Sequence, residues 1–307
     1  MKKVSVITVN FNQALITEAL LQSISLNNDY AETEIIVVDN GSTTNPVPEW
    51  IISYPHVCFI RSDINLGFAG GNNLGIKKAS GDYLFFINND TEITQGLIAT
   101  LAGILDTNPK AGMISPKIKF FEDPTTLQYV GFTPMNFFTA RNNCIGYMEK
   151  DNGQYDNTGG HTGFIHGAAM MVKKEAIEKA GLMPESFFLY YEEMDWCERI
   201  KRAGFTAWVE PKAIIYHKES ISVGKKSPLK EFFMNRNRIL FIRRNAPLFA
   251  RLVFYCHFGL LVAPRNILNY IKEGRKDLLI QLLRAIWWNI THKKTSTDLG
   301  YPINKIA

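Results

Sequence analysis

The chain has 307 residues, 46% of them hydrophobic and 21% charged, with a formal net charge of +5. That is too apolar for a disordered protein, and at roughly 150 residues per domain it is long enough for two domains or one large α/β domain with an appendage. No collagen-like period, low-complexity tract or internal repeat is present, and the four cysteines (58, 144, 197 and 256) form no C-x-x-C pair, so free thiols in a reducing compartment are expected.

The elements follow in chain order. Residues 4–9 are a β-rich run, broken by Asn10 and Asn12 and too short for a signal peptide. Folding is therefore expected from the first residues, in the cytoplasm. Helical spacing covers 14–26, and Glu34 to Asp39 is a buried strand ending in Asp-Asn-Gly-Ser. Residues 57–60 give a third strand. The Gly/Asn-rich stretch 65–75 reads as a loop entering a helix near 72–79. Tyr83–Ile87 is a fourth strand, ending at Asn88-Asn89-Asp90-Thr91, and a helix follows near 95–106. Unbroken apolar strands alternating with helices predict an α/β fold with a mainly parallel sheet covered on both faces. Ligands of such sheets sit beyond the carboxyl ends of the strands, where Asp39, the Gly/Asn stretch and Asp90 all lie.

Residues 113–165 read as irregular strands and loops. A strand is predicted at 167–172, helices near 173–180 and over 192–203, and short strands at 208–209 and 213–216. Residues 224–228 look like a boundary, because charge changes sign there. Residues 1–224 hold 18 Lys/Arg and 25 Asp/Glu, whereas 225–307 hold 16 and 4. An acidic body suits carboxylate chemistry; a basic, aromatic tail suits an anionic surface. The tail reads as helices over 229–244 and 278–290, with an apolar run of about 12 residues at 252–263, short of the ~20 a spanning helix needs.

Several clusters carry chemistry. Asp90 at a strand tip can offer oxygen to a divalent cation, or Asn88-Asn89-Asp90 can simply close the strand as an Asx turn. Asp39 can accept hydrogen bonds from a ribose or base, or close its own turn. The Gly/Asn stretch permits close backbone approach to a phosphate or sugar but is neither G-x-G-x-x-G nor a P-loop. Glu192-Glu193-Met194-Asp195 follows an aromatic run. Mutual repulsion and desolvation should raise these pKa values and favour proton acceptance, although acidic residues in a first helical turn also suit the helix dipole. On that helix Glu192, Asp195 and Arg199 share one face. His217 at a strand end is a metal ligand or a structural histidine; His161 and His166 border a Gly-rich stretch without zinc spacing.

In this order the motifs resemble glycosyltransferase family 2, inverting nucleotide-sugar transferases with the GT-A fold, and in particular its bacterial rhamnosyltransferase-like branch. The residues that carry the resemblance are Val4–Asn12, Val37–Ser42, Asn65–Asn73, Gly81–Leu84 running into Asn88–Thr91, Gly167-Ala168, Glu192–Arg199 and His217. The resemblance implies a GT-A (Rossmann-like) mixed, mainly parallel sheet over 1–224 and a C-terminal helical extension over 225–307. It implies that Thr8, Asn10, Asp39, Asn65, Gly67, Asn72, Asn88 and Asn89 contact the nucleotide-sugar. Asp90, with His217, would hold Mn²⁺ or Mg²⁺ at the diphosphate; the first acidic position of the family's metal motif is Asn88 here, which leaves fewer charges on the ion. Glu193 would be the catalytic base, one methylene longer than the usual Asp, with Glu192 as the second choice. His166, Gly167 and Asp195 would contact the acceptor or organise the site.

The implied reaction transfers a hexose, rhamnose in the nearest branch, from a UDP- or dTDP-linked donor to a hydroxyl of a glycan or polyprenyl-diphosphate-linked acceptor in cell-surface polysaccharide synthesis. The tail then suggests peripheral contact with the inner face of the membrane, or a helical cap or oligomer interface. Two rivals are a non-catalytic sugar-nucleotide or glycan-binding protein and a nucleotidyltransferase; the latter lacks its basic Gly-rich N-terminal loop. The acidic body opposes a nucleic-acid partner.

Overall fold

A computed structural model describes residues 1–218 and 227–302; the expected boundary at 224–225 lies outside the described residues. The first part of the chain runs β1 (Val4–Asn10), α1 (Ala14–Asn27), β2 (Thr33–Asn40), α2 (Val47–Ser53), β3 (Val57–Ser62), α3 (Gly67–Lys78), β4 (Tyr83–Ile87), β5 (Thr91–Ile93) and α4 (Leu97–Thr107). Then come β6 (Ala111–Phe120), β7 (Leu127–Tyr129), β8 (Gly160–His161), β9 (Ala169–Lys173), α5 (Lys174–Ala180), α6 (Glu192–Arg202) and β10 (Thr206–His217). The C-terminal helices are α7 (Pro228–Asn245), α8 (Leu248–His257), α9 (Ala263–Lys272) and α10 (Lys276–Thr291).

The described strands form one ten-stranded sheet with the path β3-β2-β1-β4-β9-β6-β10-β5. β3, β2, β1 and β4 are parallel, as the βα alternation predicts; β9 runs antiparallel between β4 and β6. Near the middle of the sheet, β4 is aromatic or aliphatic at every position and buried throughout, because both faces are covered. On β4, Tyr83, Phe85 and Ile87 face α1 and α4, whereas Leu84 and Phe86 face the side of α3, α5 and α6. Each such large side chain contributes about 1.5–3 kcal/mol by leaving water.

Three expectations change. The stretch 113–165 opens with a regular strand, β6, hidden by Pro116, Lys117 and Lys119 in its sequence. The two short strands near 208 and 215 are one, β10, whose register slips between Glu210 and Ile214 around Pro211. The Gly/Asn stretch is mostly helix: α3 starts at Gly67, and a side chain on Gly71 or Gly75 would run into Val9 or Ile7 of β1. These glycines let the helix lie close on the sheet rather than expose amides to a phosphate.

The tail helices share a core with the body. Ile239, Phe241, Phe254, Leu278 and Trp288 belong to the same buried cluster as Trp196 and Phe86. The apolar run at 252–263 is the middle of one helical stretch, Leu248–Lys272, 25 residues and apolar enough to cross a membrane by length and composition; 28% of its apolar window is buried. Arg251 and Arg265 do not end it. Pro264 lacks an N–H to give to residue 260, and a π turn at Phe258–Val262 carries the helix past it.

Candidate active site

The carboxyl ends of β1, β2 and β4 frame a cavity of about 300 Å³, lined among others by Phe11, Asn65, Gly67, Asn72, Asn88, Asn89 and Asp90. The parallel topology thus gathers residues that are far apart in sequence. Asn65 Oδ1 accepts from the Gly67 amide at 2.8 Å and from Asn40 Nδ2 at 3.2 Å, which fixes the entry to α3. Gly67 has φ +72°, and a Cβ there would lie 2.3 Å from the Phe188 carbonyl oxygen, so only glycine lets these two segments meet. Asn72 Nδ2 donates to the Phe68 carbonyl at 2.9 Å. Asn89 Nδ2 donates to Thr17 Oγ1 at 3.0 Å, tying the β4 tip to α1.

Asp39 is fully buried and engaged. It accepts from Asn10 Nδ2 at 2.8 Å, from Ser42 Oγ and from Arg61. Thr8 Oγ1, also buried, has no hydrogen-bond partner. Asp39 and Thr8 are not among the side chains lining the cavity.

At the other side, Asp90 Oδ1 lies 3.1 Å from His217 Nε2, bringing the β4 tip to the end of β10. The opposite ring nitrogen of His217 meets Gln128 Oε1 at 2.9 Å. Both partners, an amide oxygen and a carboxylate oxygen, are acceptors, so the His217 ring is held between two groups to which its nitrogens can donate. Sequence reasoning had no signal for Gln128. His166 packs among Tyr129, Phe132 and the His217 ring, and burial with the His217 charge pushes its pKa down to about 3, so it is neutral. Its Nδ1 accepts from the Ala168 amide at 3.1 Å.

The acidic cluster opens α6, with Glu192, Glu193 and Asp195 in its first turn. Three carboxylates there suit the helix dipole, but they part company in space. Glu193 is half-buried; a Cβ on Gly167 would sit 3.9 Å from its Cγ and 4.0 Å from the Phe68 ring, which itself lines the cavity. Burial raises its pKa, opposed by backbone amides at the helix start. Asp195 points the other way, accepting from Asn245 Nδ2 at 2.8 Å beside Arg199 and Arg244. It organises the α6–α7 contact. Glu192 is 4% exposed, its Oε2 has no hydrogen-bond partner, and burial followed by the Glu193 charge raises its pKa well above the usual carboxylate range.

That last shift has a sign that stability can read. A carboxyl with a folded pKa above its unfolded value stabilises at low pH and loses that contribution as pH rises through the folded pKa. Glu192→Gln is therefore expected to match wild type near pH 4 and to exceed it at pH 8, by on the order of 1 kcal/mol or about 2 °C in Tm. Equal melting temperatures at pH 8 would contradict a buried, ionising Glu192.

Residues 5–181, more than half of the chain, match Glycosyl transferase family 2. The chain is 30% identical over 212 residues to the low-salt glycan biosynthesis hexosyltransferase Agl10 of Haloferax volcanii, a match covering 64% of this chain and 61% of that protein. It thus spans about three fifths of that relative's length. It is 23% identical over 243 residues to the N-acetylglucosaminyl-diphospho-decaprenol L-rhamnosyltransferase of Mycobacterium tuberculosis, covering 72% of this chain and 77% of that one. Among solved structures, GalNAc-T7 with UDP, GalNAc and Mn²⁺ superposes with a TM-score of 0.68 at 15% identity, covering 95% of this chain and 57% of that one, a likeness of fold. The sheet is the GT-A sheet, and the chain belongs to glycosyltransferase family 2.

Proposed function

We propose that the protein is a metal-dependent inverting glycosyltransferase. It moves a hexose, with rhamnose favoured by the relatives, from a UDP- or dTDP-linked donor to a hydroxyl of a glycan on a polyprenyl diphosphate, in cell-surface polysaccharide synthesis. The observation that carries this reading is that Glu193 and Phe68 both close on Gly167, and that Phe68 lines the same cavity as Asn65, Asn88 and Asp90.

In this reading Asn65, Gly67, Asn72 and Asn88 contact the donor, while Thr8, Asn10 and Asp39 build the nucleoside end. Glu193 takes the proton from the acceptor hydroxyl, and the freed oxygen attacks the anomeric carbon opposite the leaving diphosphate, which inverts that centre. One base suffices, unlike the carboxylate pair of a glycosidase. Gly167 leaves room for the acceptor beside the base, and neutral His166 adds no charge there.

Asp90 and His217 fit a divalent cation. Among the described residues no three His, Cys, Asp or Glu side chains gather as a ligand set. The Asp90 carboxylate and the His217 imidazole, 3.1 Å apart, would instead hold the ion as a pair. Mn²⁺ or Mg²⁺ held there supplies charge to offset the departing diphosphate.

The tail fits a cytoplasmic protein lying on the inner membrane face. Leu248, Phe249, Leu260, Leu261, Trp287 and Ile290 are each more than 60% exposed, in the region that carries the excess of Lys and Arg. Full-length protein is expected to float with anionic liposomes and to stay unbound with neutral ones; no flotation with either leaves a helical cap or an oligomer interface as the role of this region.

The test of function is thermal unfolding with UDP, dTDP, GDP and CDP, each with and without Mn²⁺, followed by turnover of the matching sugar donor. A ligand at 100 times its Kd adds about 2.7 kcal/mol. A metal-dependent shift with one diphosphate and transfer from its sugar supports the reading. A shift without transfer favours a binding protein on the same fold.

A further inference from the structure

A side chain of the C-terminal helices holds the loop that delivers Glu192 and Glu193. Phe188, Tyr190 and Tyr191 have φ values of +65°, +69° and +72°. Three bulky residues in the left-handed region within four positions do not stay there unaided. Their carbonyl neighbours turn towards one group: the carbonyl oxygens of Phe187, Leu189 and Tyr190 lie 2.9, 2.8 and 2.8 Å from Asn237 Nδ2 of α7 and share its two hydrogens. The remaining carbonyl, of Phe188, accepts from the Phe68 amide at 3.0 Å. The loop is thus tied from α3 at the cavity wall and from α7 behind it, and Tyr191 leads directly into α6.

An amide can present either end, and here the choice is fixed. Arg236 Nη1 donates to Asn237 Oδ1 at 2.6 Å, which leaves the NH₂ group for the loop. Arg236 and Asn237 have no exposed surface. The guanidinium lies 4.1 Å over the Trp288 ring and gives its second nitrogen to the Asp298 carbonyl at 3.2 Å. No carboxylate pairs with it among the contacts described, and burial pushes its pKa down to about 9. The Asp298 charge attracts it through space without an ion pair; a buried cation held this way is costly, and what it holds in place is the Asn237 amide.

We propose that Asn237, oriented by Arg236, is a positioning residue for the base: it sets the left-handed loop 187–191 and so fixes where the Glu193 carboxyl stands against Gly167. This rests on the glycosyltransferase reading above. The residues lie well beyond the matched family segment 5–181, so the C-terminal region completes the site as well as carrying the exposed apolar face. A displacement of about 1 Å of a reacting group suffices to cost 10²-fold in rate.

The experiment uses full-length protein, well below its melting temperature. Asn237→Asp keeps the shape and removes both donors; Asn237→Ser keeps one donor and is read in its place if the Asp variant does not fold. Expected are a fall in kcat of at least 30-fold for Asp and about 10-fold for Ser, with donor KM and the UDP dissociation constant within threefold of wild type. Amide hydrogen exchange over 187–195 should also speed up at least tenfold, a readout that needs no turnover. Unchanged exchange, or a folded variant with kcat within threefold of wild type, overturns the proposal. Faster exchange in a protein whose wild type transfers no sugar overturns the glycosyltransferase reading and leaves the loop contact standing.

Discussion

Glu193→Gln is expected to lose transfer by roughly 10²–10⁴-fold while keeping donor binding. Glutamine has the length and shape of the native side chain but cannot accept the acceptor's proton. The UDP-dependent rise in melting temperature should match wild type, because the groups proposed to contact the donor, Asn65, Gly67 and Asn88, lie on other elements. The neighbouring glutamate is the control. Glu192 is buried deeper, and Glu193 is the one beside Gly167. A fully active Glu193→Gln with an inactive Glu192→Gln would move the base by one residue.

The pH profile gives the same assignment a second test. A base works unprotonated, and burial raises the Glu193 pKa, against the two backbone amides that lower it. Transfer should therefore fall as pH decreases through a value above the ordinary carboxylate range. Glu192 is raised further, by burial and by the Glu193 charge, and is still protonated where Glu193 ionises, so Glu192→Gln should leave the acid limb in place. An acid limb at the ordinary carboxylate value in wild type would mean that water reaches Glu193 freely.

Much of this site was legible in the sequence because strand ends are. An unbroken apolar run such as Phe85-Phe86-Ile87 stopped by Asn88-Asn89-Asp90 marks a buried strand and its tip, and the topology of parallel sheets puts such tips together. The acidic cluster was legible too, as was the rise in pKa of Glu192 and Glu193. What was hidden is what tertiary packing decides. The glycines at 67, 70 and 71 read as a loop because helix propensity counts against them, yet they form the first turns of α3, where Val9 leaves no room for a side chain on Gly71. Asn89 and Asp90 look alike in sequence, but one faces Thr17 and the other His217. Gln128 and Asn237 carry no motif; only the contact across 89 residues to His217, or across 47 to 50 residues to the 187–190 loop, reveals them.

Asp90→Asn is expected to remove most of the Mn²⁺-dependent part of UDP binding. Asp90 is the carboxylate that meets His217, and Asn88 supplies none, so the proposed ion site has a single protein charge to lose. If the substitution weakens metal-dependent binding about 100-fold, UDP at 100 times its wild-type Kd falls from about 2.7 to about 0.4 kcal/mol of stabilisation. The reverse change makes the sign independent of damage to the fold. Asn88→Asp restores a second carboxylate at the cavity and should tighten Mn²⁺, lowering the concentration that half-saturates the UDP shift. Both outcomes follow from charge on the ion rather than from packing, since Asn and Asp are nearly the same shape. A metal response unchanged in Asp90→Asn takes Asp90 out of the ion site. An unchanged response in Asn88→Asp as well would mean that the diphosphate is neutralised by groups other than the tip of β4.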